Sequence, residues 1–207
     1  MSLHLEILPP AQLRLWPLLR AIPQSFILYG GTAIALQLGH RVSVDFDFFS
    51  EAPLNKESLL QVFPLLLEHT LVQPEINTIN FQFVCPEGPV KIQFLAGLGA
   101  RQKRIESPRI AEENKIQIAS LRDLFATKLN TIQSRAECKD YIDIDALIQS
   151  GISLEEGLRC AVAVYGKRFD PATSLRALCS YRDGDLLELN PAVQQRLSHL
   201  AKSVDVI

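Results

Sequence analysis

Two short stretches near the start of the chain carry the residue types that phosphate chemistry needs. Tyr29-Gly30-Gly31-Thr32 joins the apolar run Phe26-Ile27-Leu28 to an alanine-rich segment, so it reads as a strand turning into a helix. Two glycines there let the backbone approach a ligand closely, and the free N–H groups of the following helix start offer a phosphate-binding site. Fourteen residues after Gly31 stands Asp45-Phe46-Asp47, inside the alternating run Val42 to Phe48. In a strand, positions two apart share a face at about 6–7 Å. That spacing points both carboxylates into one space and leaves Val44, Phe46 and Phe48 for the core. Two like charges so placed call for a cation, and their hard oxygens suit Mg²⁺ or Mn²⁺, ions that also bind substrate phosphates. Taken singly, each stretch has a plainer reading, a tight turn and a solvated strand edge; together they set a phosphate cradle and a metal pair on adjacent elements.

The elements that must position these groups follow from the rest of the 207 residues. Apolar residues make up 47% and charged residues 21%, which is enough to bury a core and excludes a disordered chain. With 21 basic and 23 acidic residues the net charge is −2, so any nucleic-acid contact must be local rather than spread over the surface. The uncharged stretch Ala21 to Gly39 is broken by Pro23, Gln24, Ser25, Gly30, Gly31 and Thr32, which fits a core segment and not a membrane span. No basic segment followed by an apolar run opens the chain, and the expectation is a cytoplasmic protein. Cys85, Cys138, Cys160 and Cys179 are far apart, which argues against a zinc site or a disulfide framework.

Leu13, Leu15, Leu18 and Leu19 predict an N-terminal helix, and helices are also expected at Thr32–Leu38 and Leu54–His69. Strands are expected at Phe26–Tyr29, Val42–Phe48, Leu71–Ile76, Ile79–Val84 and Val90–Phe94, the last two joined by the turn Pro86-Glu87-Gly88-Pro89. After the basic connection Arg101-Gln102-Lys103-Arg104, with Arg109 nearby, the pattern becomes helical: Leu121–Gln133, Glu137–Gln149, Leu154–Tyr165, Ala172–Ser180 and Ala192–Lys202. The fold class is therefore α/β (α+β), a small mixed sheet with flanking helices over residues 1–118 and a helical portion over 119–207 that completes the active-site cleft. The basic run Arg101, Lys103, Arg104 and Arg109 is the densest positive patch open to an RNA.

On the first of the later helices, Lys128 returns to within about 20° of Leu121 at 100° per residue. A lysine inside that apolar arc needs a reason, and an ammonium reaching a triphosphate supplies a better one than a stem packed with its head at the rim. Ser120-Leu121-Arg122-Asp123 has the capping-box pattern, which makes Asp123 structural. Asp140 shares a stripe with Ile144 and Leu147 and faces inward, poised to steer Lys128 or to meet a base or metal. Asp145 flanks that stripe.

The segment from Gly30 to Phe49, Gly-Gly-Thr-Ala-Ile-Ala-Leu-Gln-Leu-Gly-His-Arg-Val-Ser-Val-Asp-Phe-Asp-Phe-Phe, closely resembles the first motif of the AbiEii/AbiGii-type minimal nucleotidyltransferases, members of the polymerase-β-like superfamily. Asp123 with Lys128-Leu129, and Arg135 with Lys139-Asp140 and Asp143, resemble that family's later helical motifs. The resemblance covers residues from about 26 to 150. It implies Mg²⁺-dependent transfer of a nucleotide from an NTP to an acceptor, an RNA such as tRNA or a protein hydroxyl, with the chain acting as the toxin beside an antitoxin protein. By the same resemblance Asp45 and Asp47 bind metal; Gly30, Gly31, Thr32, Arg41, Ser43 and Lys128 bind nucleotide; and Lys128 and Asp140 join the two aspartates in catalysis.

One position departs from the pattern. Where such enzymes place a third carboxylate, in a sequence of the form Lys-x-Asp-Phe, this chain reads Lys91-Ile92-Gln93-Phe94. The carboxamide of Gln93 can coordinate a metal or place a water, but it carries no charge to deprotonate a hydroxyl. A second reading therefore stands beside the enzyme: a degenerate nucleotidyltransferase fold that binds nucleotide or a partner without catalysing. A sugar-nucleotide glycosyltransferase with an Asp-x-Asp pair is a third, disfavoured because nothing in the chain supplies its large nucleotide-sugar domain.

Overall fold

The computed structural model describes residues 3–62, 70–75, 77–97 and 103–204. The chain divides into two units, Met1–Gln102 with Ser107–Ser120, and Lys103–Glu106 with Leu121–Ile207.

In the first unit, α1 (Pro10–Leu15) starts on a proline, whose fixed φ suits the first helical turn, and tightens into a 3-10 turn at Trp16–Ala21. Leu15 and Leu19 are buried there, while Leu13 and Leu18 face outward. Strand β1 (Ile27–Tyr29) runs into α2 (Gly30–Leu38), which is buried from Thr32 to Gln37 and ends on Gly39 in the left-handed conformation (φ 66°), the usual helix stop. Then come β2 (Phe46–Phe49), α3 (Lys56–Val62), β3 (Thr70–Glu75), β4 (Thr78–Cys85), β5 (Gly88–Leu95), β6 (Arg109–Ile110) and β7 (Gln117–Ile118). Part of the helix expected over Leu54–His69, and Ile76 of the next expected strand, lie outside the described residues.

Among the described residues the strands form one sheet in the order β3-β4-β5-β2-β1-β7-β6. Strands β2 and β5 pair in parallel, as do β1 and β7; the other neighbours are antiparallel. The short pair β6 and β7 has no period-2 apolar signature, so nothing in the sequence pattern announces it. Register fixes the two faces. Leu28, Phe48, Phe94 and Ile79 stand opposite one another in turn, next to the row Phe46, Ile92 and Phe81, and all are buried. Phe94 packs against Phe48, Phe26 and Phe81 with ring centres 5.0–6.2 Å apart, and Trp16 of the 3-10 turn stacks on Phe46. The opposite face carries the row Tyr29, Asp47, Gln93 and Asn80.

Strand β2 is shorter than its alternation predicts. It begins at Phe46, and Val44 is 51% exposed instead of taking the core side. The cause is local capture of the backbone: Gln12 Nε2 donates to the Val44 carbonyl at 2.7 Å, and Thr32 Oγ1 donates to the Asp45 carbonyl. Carbonyls taken by side chains from α1 and α2 are withdrawn from a sheet ladder.

The second unit is helical: α4 (Leu121–Thr131), α5 (Cys138–Gln149), α6 (Leu154–Tyr165), α7 (Pro171–Ala177) and α8 (Pro191–Ser203), with 3-10 turns at Gly166–Arg168 and Leu186–Glu188. Ser153, Asp170 and Asn190 cap α6, α7 and α8, each accepting from backbone N–H groups one turn ahead. Gly157 lets α6 close on α4, since a Cβ there would stand 2.6 Å from the Phe125 ring. Among the described residues no helix is long and apolar enough to cross a membrane.

Candidate functional site

In the first unit the two glycines are packed against the residues expected to work with them. Gly30 has φ +71°, a conformation L side chains rarely adopt, and a Cβ on it would lie 2.5 Å from Asp47 Oδ2. The Asp47 carboxylate thus lies over the backbone that opens α2. A Cβ on Gly31 would collide with the Arg41 guanidinium and stand 3.3 Å from Ser43 Oγ. Conformation asks for glycine at position 30, and at both places a side chain would meet a neighbouring one.

Thr32 is buried in the same neighbourhood. It is 1% exposed; besides donating to the Asp45 carbonyl, its hydroxyl shares a 2.8 Å hydrogen bond with Ser43. A hydroxyl so placed ties α2 to the segment carrying Asp45. Arg41 donates to the Val42 carbonyl at 2.9 Å. Gly30, Gly31, Thr32, Arg41, Ser43, Asp45 and Asp47 are therefore brought together, with both aspartates partly exposed.

Gln93 stands beside Asp47 in the parallel register of β2 and β5, so its carboxamide shares the aspartate's face. The next residue in that row, Asn80, is not anticipated from the sequence. Its Oδ1 is buried without a hydrogen-bond partner among the described residues, although the residue pairs directly with Gln93. Alternation marks Asn80 as polar on a strand, but only pairing shows which residue it stands next to. Tyr29 and Phe49 stack on this face, 4.7 Å apart and 10° from parallel.

Two carboxylates are few for a metal held by protein alone, and no group of three or more His, Cys, Asp or Glu is placed to hold one among the described residues. Mg²⁺, however, is often bound through one or two carboxylates with substrate phosphates completing its shell. Asp45 and Asp47, both partly exposed, are carboxylates of the kind that mode uses.

The second unit holds a buried charge cluster. Lys128 is 6% exposed, and its ammonium lies 2.7 Å from Asp140 Oδ1 and 2.7 Å from Asp143 Oδ2, both carboxylates being fully buried. Arg135 grips Asp140 side-on, with Nε 2.9 Å from Oδ2 and Nη2 3.0 Å from Oδ1. Lys128 thus faces inward as its helical position predicts, with Asp140 in contact with its ammonium. Asp143, which on sequence could pass for a surface acid, is buried as well. Asp123 is structural, but it does more than serve its own helix: it is 1% exposed and accepts from the Ile105 and Glu106 amides, pinning that segment to α4. Asp145 is tied to α8 by a bidentate pair with Arg196 at 2.6–2.7 Å. Next to Asp140, burial pushes the Tyr141 phenol up to about 12.

The basic run is divided. Arg101 and Gln102 lie outside the described residues. Lys103 belongs to the helical unit, where its amide donates to the Val164 carbonyl, whereas Arg109 lies in β6 of the first unit.

A mixed sheet carrying an Asp-x-Asp strand beside a Gly-Gly helix start defines a nucleotidyltransferase fold, and comparison with solved structures agrees. The chain is similar to MenT4, the nucleotidyltransferase toxin Rv2826c of Mycobacterium tuberculosis H37Rv (TM-score 0.62, 16% identity, 94% of this chain and 82% of that one). It is also similar to an H. pylori protein provisionally described as a nucleotidyltransferase (TM-score 0.59, 17% identity, 93% and 94%). A third similar fold is the antibiotic-resistance factor ANT(2″)-Ia (TM-score 0.52, 14% identity, 75% and 91%). Residues 18–205 match the family model for the nucleotidyl transferase AbiEii toxin of type IV toxin–antitoxin systems, and the chain belongs to that family. An uncharacterized protein of Aquifex aeolicus (strain VF5), aq_aa25, is 30% identical over 138 residues, a match spanning 65% of this chain and 64% of that relative's length.

Proposed function

We propose that the chain is a Mg²⁺-dependent nucleotidyltransferase that moves a nucleotide from an NTP to an RNA, such as a tRNA, or to a protein hydroxyl. In this reading it works in the cytoplasm as the toxin of a toxin–antitoxin pair. The observation that carries this is the Asp47 carboxylate lying over the Gly30 backbone, with Gly31 against Arg41 and Ser43. A triphosphate at the start of α2 would meet N–H groups and the Arg41 cation, while its metal would take Asp45 and Asp47. The ion would supply charge neutralisation at the reacting phosphate. The acceptor hydroxyl attacks the α-phosphorus, pyrophosphate leaves and the hydroxyl proton passes to solvent, since Gln93 cannot take it.

The test is incubation of the purified chain with each labelled NTP, Mg²⁺ and total RNA. Label should enter RNA with at least one nucleotide. Gly30→Ala, which puts a methyl group into Asp47 and forces an unfavourable φ, should cut transfer by about a hundredfold or more. Absence of label from RNA and protein with every NTP, while Mg²⁺–NTP still raises the melting temperature, would favour the binding module that Gln93 suggests.

A further inference from the structure

The cation that the α4–α5 cluster presents to solvent is Arg135 and not Lys128. Lys128 has a side chain 7% exposed and an ammonium shared between two buried carboxylates. Arg135 is 42% exposed, in the turn after α4, where its amide donates to the Thr131 carbonyl. Its guanidinium has five N–H donors in a rigid plane. The Nε/Nη2 edge is spent on Asp140, and Nε also lies 3.2 Å from Glu137 Oε1. The other edge, Nη1 with the outward N–H of Nη2, has no partner among the described residues.

We propose that Arg135 is a phosphate-binding residue: its outward fork takes two oxygens of a substrate phosphoryl group, while buried Asp140 holds the guanidinium plane in place. Three features support this. A planar fork matches phosphate in bidentate fashion where a lysine offers only a point charge. Asp140 is inaccessible and clamps the inner edge at two points, so the arginine loses little further freedom when a ligand arrives. Lys128, Arg135, Asp140 and Asp143 also sum to zero charge, so an anion approaching the outer fork meets no net negative cluster behind it. Exposed Glu137 is the local competitor; it lies on Nε, away from the outer fork, and is shared with Lys139 at 2.8 Å.

This inference rests on the nucleotide-transfer reading, which offers two phosphoryl sources, the NTP and the acceptor's backbone. The test measures dissociation constants of the full chain, in Mg²⁺ buffer, for inorganic tripolyphosphate and for a short single-stranded oligoribonucleotide. Wild type, Arg135→Gln and Arg135→Lys are compared, with the melting temperature of each. Arg135→Gln should weaken one of the two probes by about tenfold or more, and Arg135→Lys should recover only part of the loss, because charge returns without the fork. Weakening of tripolyphosphate assigns the contact to the nucleotide; weakening of the oligoribonucleotide alone assigns it to the acceptor. Should Arg135→Gln fail to fold, Arg135→Lys keeps a cation on Asp140 and makes the same comparison. A lowered melting temperature with both constants unchanged would reduce Arg135 to a counter-ion and overturn the inference while leaving the proposed function standing. A wild type that binds neither probe would overturn both.

Discussion

The two carboxylate pairs of this chain are built in opposite ways. Asp45 and Asp47 are partly exposed beside a helix start, with glycine backbone where a side chain would otherwise stand. Asp140 and Asp143 are fully buried, and cations within 2.7–3.0 Å hold their oxygens. The first pair stands where solvent reaches it. The second has its electrostatic partners already in place, and a carboxylate so engaged orients its cations more readily than it binds a metal. Equal residue types thus stand partly exposed in one unit and buried against cations in the other.

The contrast makes its largest prediction for Lys128. Removing one partner of a buried charge pair costs about 3–5 kcal/mol, because the other charge is left unpaired in the interior. At roughly 2–4 °C per kcal/mol for a chain of this size, Lys128→Met should lower the melting temperature by about 10 °C. Asp45→Asn, at the open pair, should leave it nearly unchanged in the absence of nucleotide. Similar melting temperatures for the two variants would break the contrast.

Gln93→Asp sharpens it from the open side. A third carboxylate in register with Asp47 would add general-base capacity and a metal ligand, and turnover should rise by about tenfold or more. Without Mg²⁺ the same change should destabilise the chain through like-charge repulsion. Turnover and metal-free stability both unchanged in a transfer assay and a thermal melt would place residue 93 outside the reacting centre.

The smallest effect concerns Tyr141, beside the closed pair. Its phenol is raised to about 12 by burial, against about 10 in an unfolded chain. The folded state holds that proton more tightly, so the associated stability is intact below about pH 10 and is lost as pH climbs toward 12. Tyr141→Phe, which also removes the hydrogen bond to the Ala177 carbonyl, should flatten the fall in melting temperature over that window. Identical alkaline slopes in both proteins would show that the loss originates elsewhere.

Much of the molecule is legible in the amino-acid sequence alone, for physical reasons. Gly30-Gly31 announces a helix start with side chains packed close on it, because glycine alone readily takes the φ of Gly30 and brings no Cβ to either place. Helix α6 falls on the residues expected of it, because Ser153, the apolar period and the following glycine all act within a few residues. Lys128 faces inward because a 3.6-residue period leaves it no other side of α4.

Which side chains become neighbours is settled by packing instead. Alternation over Val42 to Phe48 is a local pattern, and it misplaces the start of β2 and the side of Val44. The side chains that compete for that backbone stand elsewhere, Gln12 on α1 and Thr32 on α2. The row Asp47, Gln93 and Asn80 depends on strand register, which no single segment encodes. The burial of Asp143 and the orientation of Arg135 depend on two helices closing over one ammonium. Periodicity names the face a residue occupies, whereas the partner it meets there is set by contacts between segments that the sequence keeps apart.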